Sequence, residues 1–145
     1  MLSRRLKATS LIAVVTTLAC YSTPAPHPTA ASPLALVTDS LVFHRQGQSP
    51  ALVRFAVVNR GNQPASVAQC NGQPAAVIDR LAWGNWRFLE GGYCNGGPQP
   101  PMALGPGDSL SGVVTVYQGG NYRLRLATVV GGREIDVPSQ AFDIW

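Results

Sequence analysis

Charge is scarce in this chain. Lys, Arg, Asp and Glu make up 12% of its 145 residues, and no run of five like charges occurs. Histidine is scarcer, with only His27 and His44, and the three cysteines show no C-x-x-C spacing. No apolar run reaches the roughly 20 residues that cross a bilayer as a helix. Sustained 3.6-residue periodicity is also missing, so long amphipathic helices are not expected. Each absence argues against a class of function. Without basic runs, nucleic acid is not an expected partner. Without clustered His, Cys or carboxylates, no metal site and no cofactor are expected. Nucleophilic catalysis needs a base held beside Ser or Cys, and His44, the only histidine beyond His27, lies in a strand pattern as a surface or edge residue. No glycine loop has the strand-to-helix setting that cradles phosphate. An enzyme is therefore not expected.

Turn formers and apolar residues are plentiful instead. The chain has 15 Gly and 12 Pro, and 46% of it is hydrophobic, enough for one packed domain. The formal net charge of +4 is misleading, because three of the eleven cations (Arg4, Arg5 and Lys7) precede residue 8 and all seven acids follow residue 38. Without that segment, eight cations face seven acids and the chain is near neutral.

Met1–Lys7 is positive, and Ala8–Ala19 (ATSLIAVVTTLA) is an uncharged run of twelve residues. As a helix that run spans about 18 Å, short of the roughly 30 Å of a bilayer core. Residues 1–19 thus read as a secretory signal with a helical apolar core. Thr17-Leu18-Ala19-Cys20 resembles the lipobox of bacterial lipoproteins, with a small residue before the cysteine and Thr17 where that family usually has leucine. The resemblance implies that Cys20 is lipidated and becomes the first mature residue. Tyr21–Pro33 (YSTPAPHPTAASP) has four prolines and no Leu, Ile, Val, Met or Phe. Residues 20–33 therefore read as a lipidated cysteine and an extended linker, its thirteen spacer residues reaching about 40 Å. His27 is a solvated residue of that linker. The expected location is the bacterial cell envelope, exported and held to a membrane by the lipid.

With Cys20 assigned to lipid, Cys70 and Cys94 form an even pair, expected as a disulfide in an oxidising compartment. It would close a loop of about 25 residues, worth on the order of 3 kcal/mol.

Residues 34–145 show short alternating runs broken by Gly, Pro and Asn, which predicts an all-β sandwich or barrel. Leu41 and Phe43 alternate with Val42 and His44, and Val53, Phe55 and Val57 alternate with Leu52, Arg54 and Ala56. Asn59–Asn62 reads as a turn. Tyr122, Leu124 and Leu126 face one way and Arg123 and Arg125 the other, and Phe142 and Ile144 form the last inward pair. In Trp83-Gly84-Asn85-Trp86, Gly84-Asn85 is the expected two-residue turn. Pairing then sets Trp83 opposite Trp86 and Leu81 opposite Phe88 on one face, with Arg80 and Arg87 on the other. Asp79 would meet Glu90, so a bulge or an end to the pairing is expected there. Leu104–Ser109 is a turn into a strand over Leu110–Tyr117. Gly119-Gly120 is either a hairpin turn or a crossing between sheets that makes Tyr122 a corner tyrosine, and the crossing is preferred.

The segments VRFAVVNRG, LGPGDSL and GGNYRLRL, within residues 52–130, resemble the immunoglobulin-like β-sandwich of many bacterial envelope proteins. They are especially similar to the intracellular proteinase inhibitor family. The resemblance implies an antiparallel immunoglobulin-like sandwich of about seven or eight strands. It also raises proteinase inhibition as an alternative function.

Candidate binding residues are few. Trp83 and Trp86 are expected to pack in the core, with an exposed aromatic patch as the alternative. Tyr93 belongs to the Gly- and Pro-rich loop Tyr93–Pro101, either a covered connection or a recognition loop. Trp145 is expected to dock on a sheet edge or to meet a partner. The outward Arg54, Arg123 and Arg125 form a solvated face or one that meets anionic envelope polymers. The whole reads as a noncatalytic, lipid-anchored binding or structural module, with an envelope protein or polymer as its partner.

Overall fold

A computed structural model describes residues 32–91, 94, 97 and 99–145. The leader over residues 1–19, Cys20, the linker as far as Ala31, and Tyr93 lie outside the described residues.

The described residues form thirteen strands and no helix. They are β1 Leu34–Thr38, β2 Val42–Phe43, β3 Ala51–Asn59, β4 Ala65–Val67, β5 Gln69–Cys70, β6 Gln73–Pro74, β7 Val77–Ala82, β8 Asn85–Gly91, β9 Met102–Leu104, β10 Ser109–Val116, β11 Gly120–Val130, β12 Arg133–Pro138 and β13 Phe142–Ile144. The expected antiparallel sandwich is present. The strands outnumber the seven or eight expected because several are pieces of one strand line.

The first sheet has the order β1-β3-β10. In β3 the alternation is nearly ideal: Ala51, Val53, Phe55 and Val57 are buried while Leu52 and Arg54 are exposed. Gly112 pairs with Phe55 across the β10–β3 ladder, and a Cβ there would collide with the Phe55 ring. The missing side chain makes room for the ring.

The second sheet is built on β11. One side of β11 pairs with β13 at Gly120–Tyr122 and with β12 at Arg125–Val130. Its other side pairs with β7 at Tyr122–Arg125 and with β4 at Thr128–Val130. Strands β4 and β7 thus lie on one line, interrupted by residues 68–76. That excursion carries the β5–β6 hairpin, with Asn71 and Gly72 at positive φ (52° and 79°) in its turn. Strand β9 adds beside β4, β8 beside β7, and β2 runs parallel to β13.

The two inward faces supply one core. Tyr122, Leu124, Leu126, Ile78, Val137, Phe142 and Ile144 meet Val53, Phe55, Val57, Leu34 and Leu36. A fully buried side chain of this size stabilises the fold by about 1.5–3 kcal/mol. The chain crosses between the sheets at Tyr117–Gly119, and Tyr122 is the expected corner tyrosine. Its hydroxyl donates to the Gln118 carbonyl at 2.9 Å. Asn59 closes β3 and is buried. Its Nδ2 donates to the carbonyls of Gln63 (2.8 Å) and Leu104 (3.1 Å), and its Oδ1 accepts the Gly61 N–H (3.0 Å). The bend itself spans 61–63, starting two residues later than the expected Asn59–Asn62 and ending one residue later.

One lateral side of the sandwich is closed by a bridge from Leu36 to Ser139. On the other, the Gln73 amide does for β10 what a neighbouring strand would. Its Oε1 accepts the Val113 N–H (3.0 Å) and its Nε2 donates to the Val113 carbonyl (3.3 Å).

The hairpin differs from expectation by one residue. The turn is Trp83-Gly84, both at positive φ (49° and 76°), and Ala82 faces Asn85, Leu81 faces Trp86, and Arg80 faces Arg87. Moving the turn by one residue moves the β8 partner of each β7 residue by two, Leu81 from Phe88 to Trp86, so every side chain keeps its expected face and Gly84 takes the second turn position rather than the first. Pairing with β11 sets Ile78 beside Leu124 and Asp79 beside Arg123. The expected irregularity near Asp79 is real: the register shifts between Ile78 and Asp79, so Asp79 faces Phe88 and Glu90 faces Ile78. Leu41 is exposed rather than inward, and only Val42–Phe43 pair as a strand, with Phe43 edge-on to Phe142 at 5.5 Å.

Candidate functional site

The registers define two ends of the sandwich. At one, Leu34 pairs with Asn59, beside Gly107 and Leu104, and the Arg60 N–H donates to the Pro33 carbonyl at 2.7 Å. The linker therefore enters here. At the opposite end lie Ala51 facing Val116, Gly120 facing Ile144, and the turn beyond the Arg80–Tyr122 pair. Trp83, Tyr117 and Trp145 belong to this far end, and all three are exposed.

Trp83 is 87% exposed, so it is not a core residue. A bulky residue at positive φ is a backbone outlier, since that turn favours Asn, Asp or Gly. The Arg87 guanidinium lies over its ring, 5.2 Å from the centroid. Trp86 is half-buried on the outer face of the sheet, where the Arg123 guanidinium covers it at 4.8 Å. Trp145 is 71% exposed, so its side chain does not dock on a sheet edge. Its backbone continues the β2 ladder, its N–H donating to Phe43 O (3.0 Å) and its carbonyl accepting from the Arg45 N–H (2.8 Å).

Arg80 and Arg87 share a face, as expected, and stand directly opposite each other. Like charges so placed destabilise a hairpin. Arg80 turns toward the crossing, where Nη1 donates to Gln118 Oε1 (2.9 Å) and Nη2 to the Gly119 carbonyl (3.1 Å). Its guanidinium lies 5.9 Å from the Tyr122 ring centroid. Burial pushes the Tyr122 phenol above its ordinary pKa, and the charges of Arg80 and Arg45 oppose that shift. Arg45 Nε is buried without a hydrogen-bond partner among the described residues. Glu90, on the same face of β8 as Arg87, instead lines a groove with Ile78, Thr115 and Tyr117.

Arg123 and Arg125 are engaged elsewhere. Asp79 is buried on the outer face of the second sheet. Its carboxylate accepts from Arg123 Nε (3.0 Å), Arg125 Nε (2.7 Å) and Arg125 Nη2 (3.2 Å), while Arg125 Nη1 reaches Asp136 at 2.9 Å. Burial alone would raise the Asp79 pKa. Hydrogen bonds from Arg125 and Arg123, with their charges, outweigh burial and hold it below 3.8. The same bonds to Asp79 and Asp136 raise Arg125 above its usual range. Arg123 and Arg125 are thus neither a free solvated face nor a free anion-binding face. Arg54 remains exposed.

Cys70 and Cys94 are bonded, with Cα atoms 5.0 Å apart. The bond ties the loop after β8 to the β5–β6 excursion. His44 is exposed. Asp79 and Glu90, considered as a cross-hairpin carboxylate pair, are kept apart by the register shift.

Sequence reasoning finds the exposed tryptophans as candidates but misses Arg45, Arg80 and Arg87 as a group. Arg80 and Arg87 flank the WGNW turn symmetrically, which was the available signal. Nothing local points to Arg45. No protein-family model matches this chain, and no curated protein matches it.

Proposed function

We propose that this protein is a noncatalytic binding module anchored by lipid at Cys20 to a membrane of a bacterial cell envelope, its partner an envelope protein or polymer. The observation that carries the reading is polarity. The linker enters at the Leu34 end, and Trp83, Tyr117 and Trp145 are exposed at the opposite one. The lipobox-like Leu18-Ala19-Cys20 and the proline-rich linker support the tether. A noncatalytic role is favoured by the saturation of the buried carboxylate, Asp79, with arginine hydrogen bonds.

The test is mass spectrometry of the mature chain purified from membranes. Cys20 should be the first residue and carry an acyl-glyceryl thioether. An unmodified Cys20, or cleavage at another bond, would overturn the anchor.

A further inference from the structure

We infer that the far end of the sandwich binds a polymer bearing closely spaced anionic groups, held by Arg87 with Arg80 and Arg45 and stacked on Trp83. The inference deepens the binding-module reading and rests on it. Three observations converge on one corner. Arg80 and Arg87 face each other directly across the hairpin, a repulsive arrangement that no carboxylate relieves. Every ion pair among the described residues uses Asp79 or Asp136, on the other face, and none involves Arg45, Arg80 or Arg87. Arg45 has a buried Nε with no hydrogen-bond partner among the described residues, and its backbone pairs with Trp145 at the same end.

The fourth observation is Trp83. It is nearly fully exposed and sits at positive φ, against both burial preference and turn preference. Local rules broken twice at one residue mark a functional position more often than a structural one. With Arg87 on one face of the indole, the opposite face is open to stack on a ring. Guanidinium groups match carboxylate and phosphate oxygens in paired hydrogen bonds, and two facing each other with a third across the same end of the sheet favour repeated anions over a single one. The domain as a whole is near neutral, so the attraction is local to this corner and is screened by salt.

The experiment uses the full chain in detergent, with binding read from Trp fluorescence and by calorimetry at low salt. The probes are alginate as a ring-bearing polycarboxylate, long-chain polyphosphate as a ringless polyanion, and dextran as a neutral control. Alginate should bind saturably, weaken with added salt, and lose about tenfold in affinity with either Trp83→Ala or Arg87→Gln. Polyphosphate binding should depend on Arg87 and not on Trp83. Arg54→Gln, on the other sheet, should leave both unchanged, and thermal melts of the variants should match the parent. No saturable binding of either polyanion, equal binding of dextran, or a loss in Arg54→Gln as large as in Arg87→Gln would overturn the inference. Binding by a chain whose Cys20 proves unlipidated would sustain it while removing the anchor.

Discussion

Asp79 shows how one residue can be illegible in sequence and decisive in structure. Read along the chain, it is an outward carboxylate on a hairpin, heading for a clash with Glu90. In the fold, it is the buried acceptor between two arginines. Its folded pKa lies below the unfolded value, so its contribution to stability is complete above that value. The contribution is lost as pH falls through the folded pKa. We expect the melting temperature to drop steeply below about pH 4 and the Asp79→Asn variant to lose that part of the dependence. At neutral pH the variant should be less stable by about 2–4 kcal/mol, because two guanidinium groups keep only amide partners. Denaturant melts across pH 2–7 check both. A parallel pH profile for parent and variant would show that Asp79 does not carry the effect.

At the scale of elements, the alternating strands were readable because burial on one face imposes a period of two. Val53-Phe55-Val57 and Tyr122-Leu124-Leu126 needed no other information. The crossing at Gly119 was readable too, since a tyrosine just inside the next strand has a structural use. The hairpin register was not. Trp83-Gly84 and Gly84-Asn85 both place glycine in a two-residue turn and put the same side chains on the same faces, so the alternation of the strands does not separate them. Asn71-Gly72, a stronger turn signal, is masked in the sequence because its strands are two residues each, too short to show an alternation. The candidate site was half legible: exposed aromatics were among the readings, but the convergence of Arg45, Arg80 and Arg87 is a product of topology. The hairpin also yields a test of conflict between folding and binding. Trp83→Asn creates Asn-Gly, the preferred pair for this turn. We expect a gain of about 0.5–1 kcal/mol in chemical denaturation together with loss of alginate binding. A destabilised variant would show that the indole contributes packing.

For the whole molecule, the disulfide is the feature read most directly from counting cysteines. It joins two connections rather than two central strands, so it constrains a periphery that the core does not hold. The bonded residues are 24 apart in sequence. Reduction, or Cys70→Ser with Cys94→Ser, should lower stability by about 3 kcal/mol and the melting temperature by on the order of 10 °C. The β3–β10 and β11–β12 amides should stay protected in hydrogen exchange, with loss concentrated over residues 69–76. Uniform loss of protection would mean that the bond supports the entire fold.

The position of β11 has a consequence for timing. The first sheet needs nothing beyond Val116, so a chain emerging from its N-terminus can complete β1, β3 and β10 early. The second sheet can form only the β4–β9 pair and the β7–β8 hairpin until Gly120–Val130 arrives to join them. Long-range pairing of this kind is slow, because loop closure precedes any reward in contacts. Until Gly120–Trp145 emerges, the chain exposes the inner face of a finished sheet with only pieces of a second layer to cover it. These 26 residues thus set when the apolar interior leaves water.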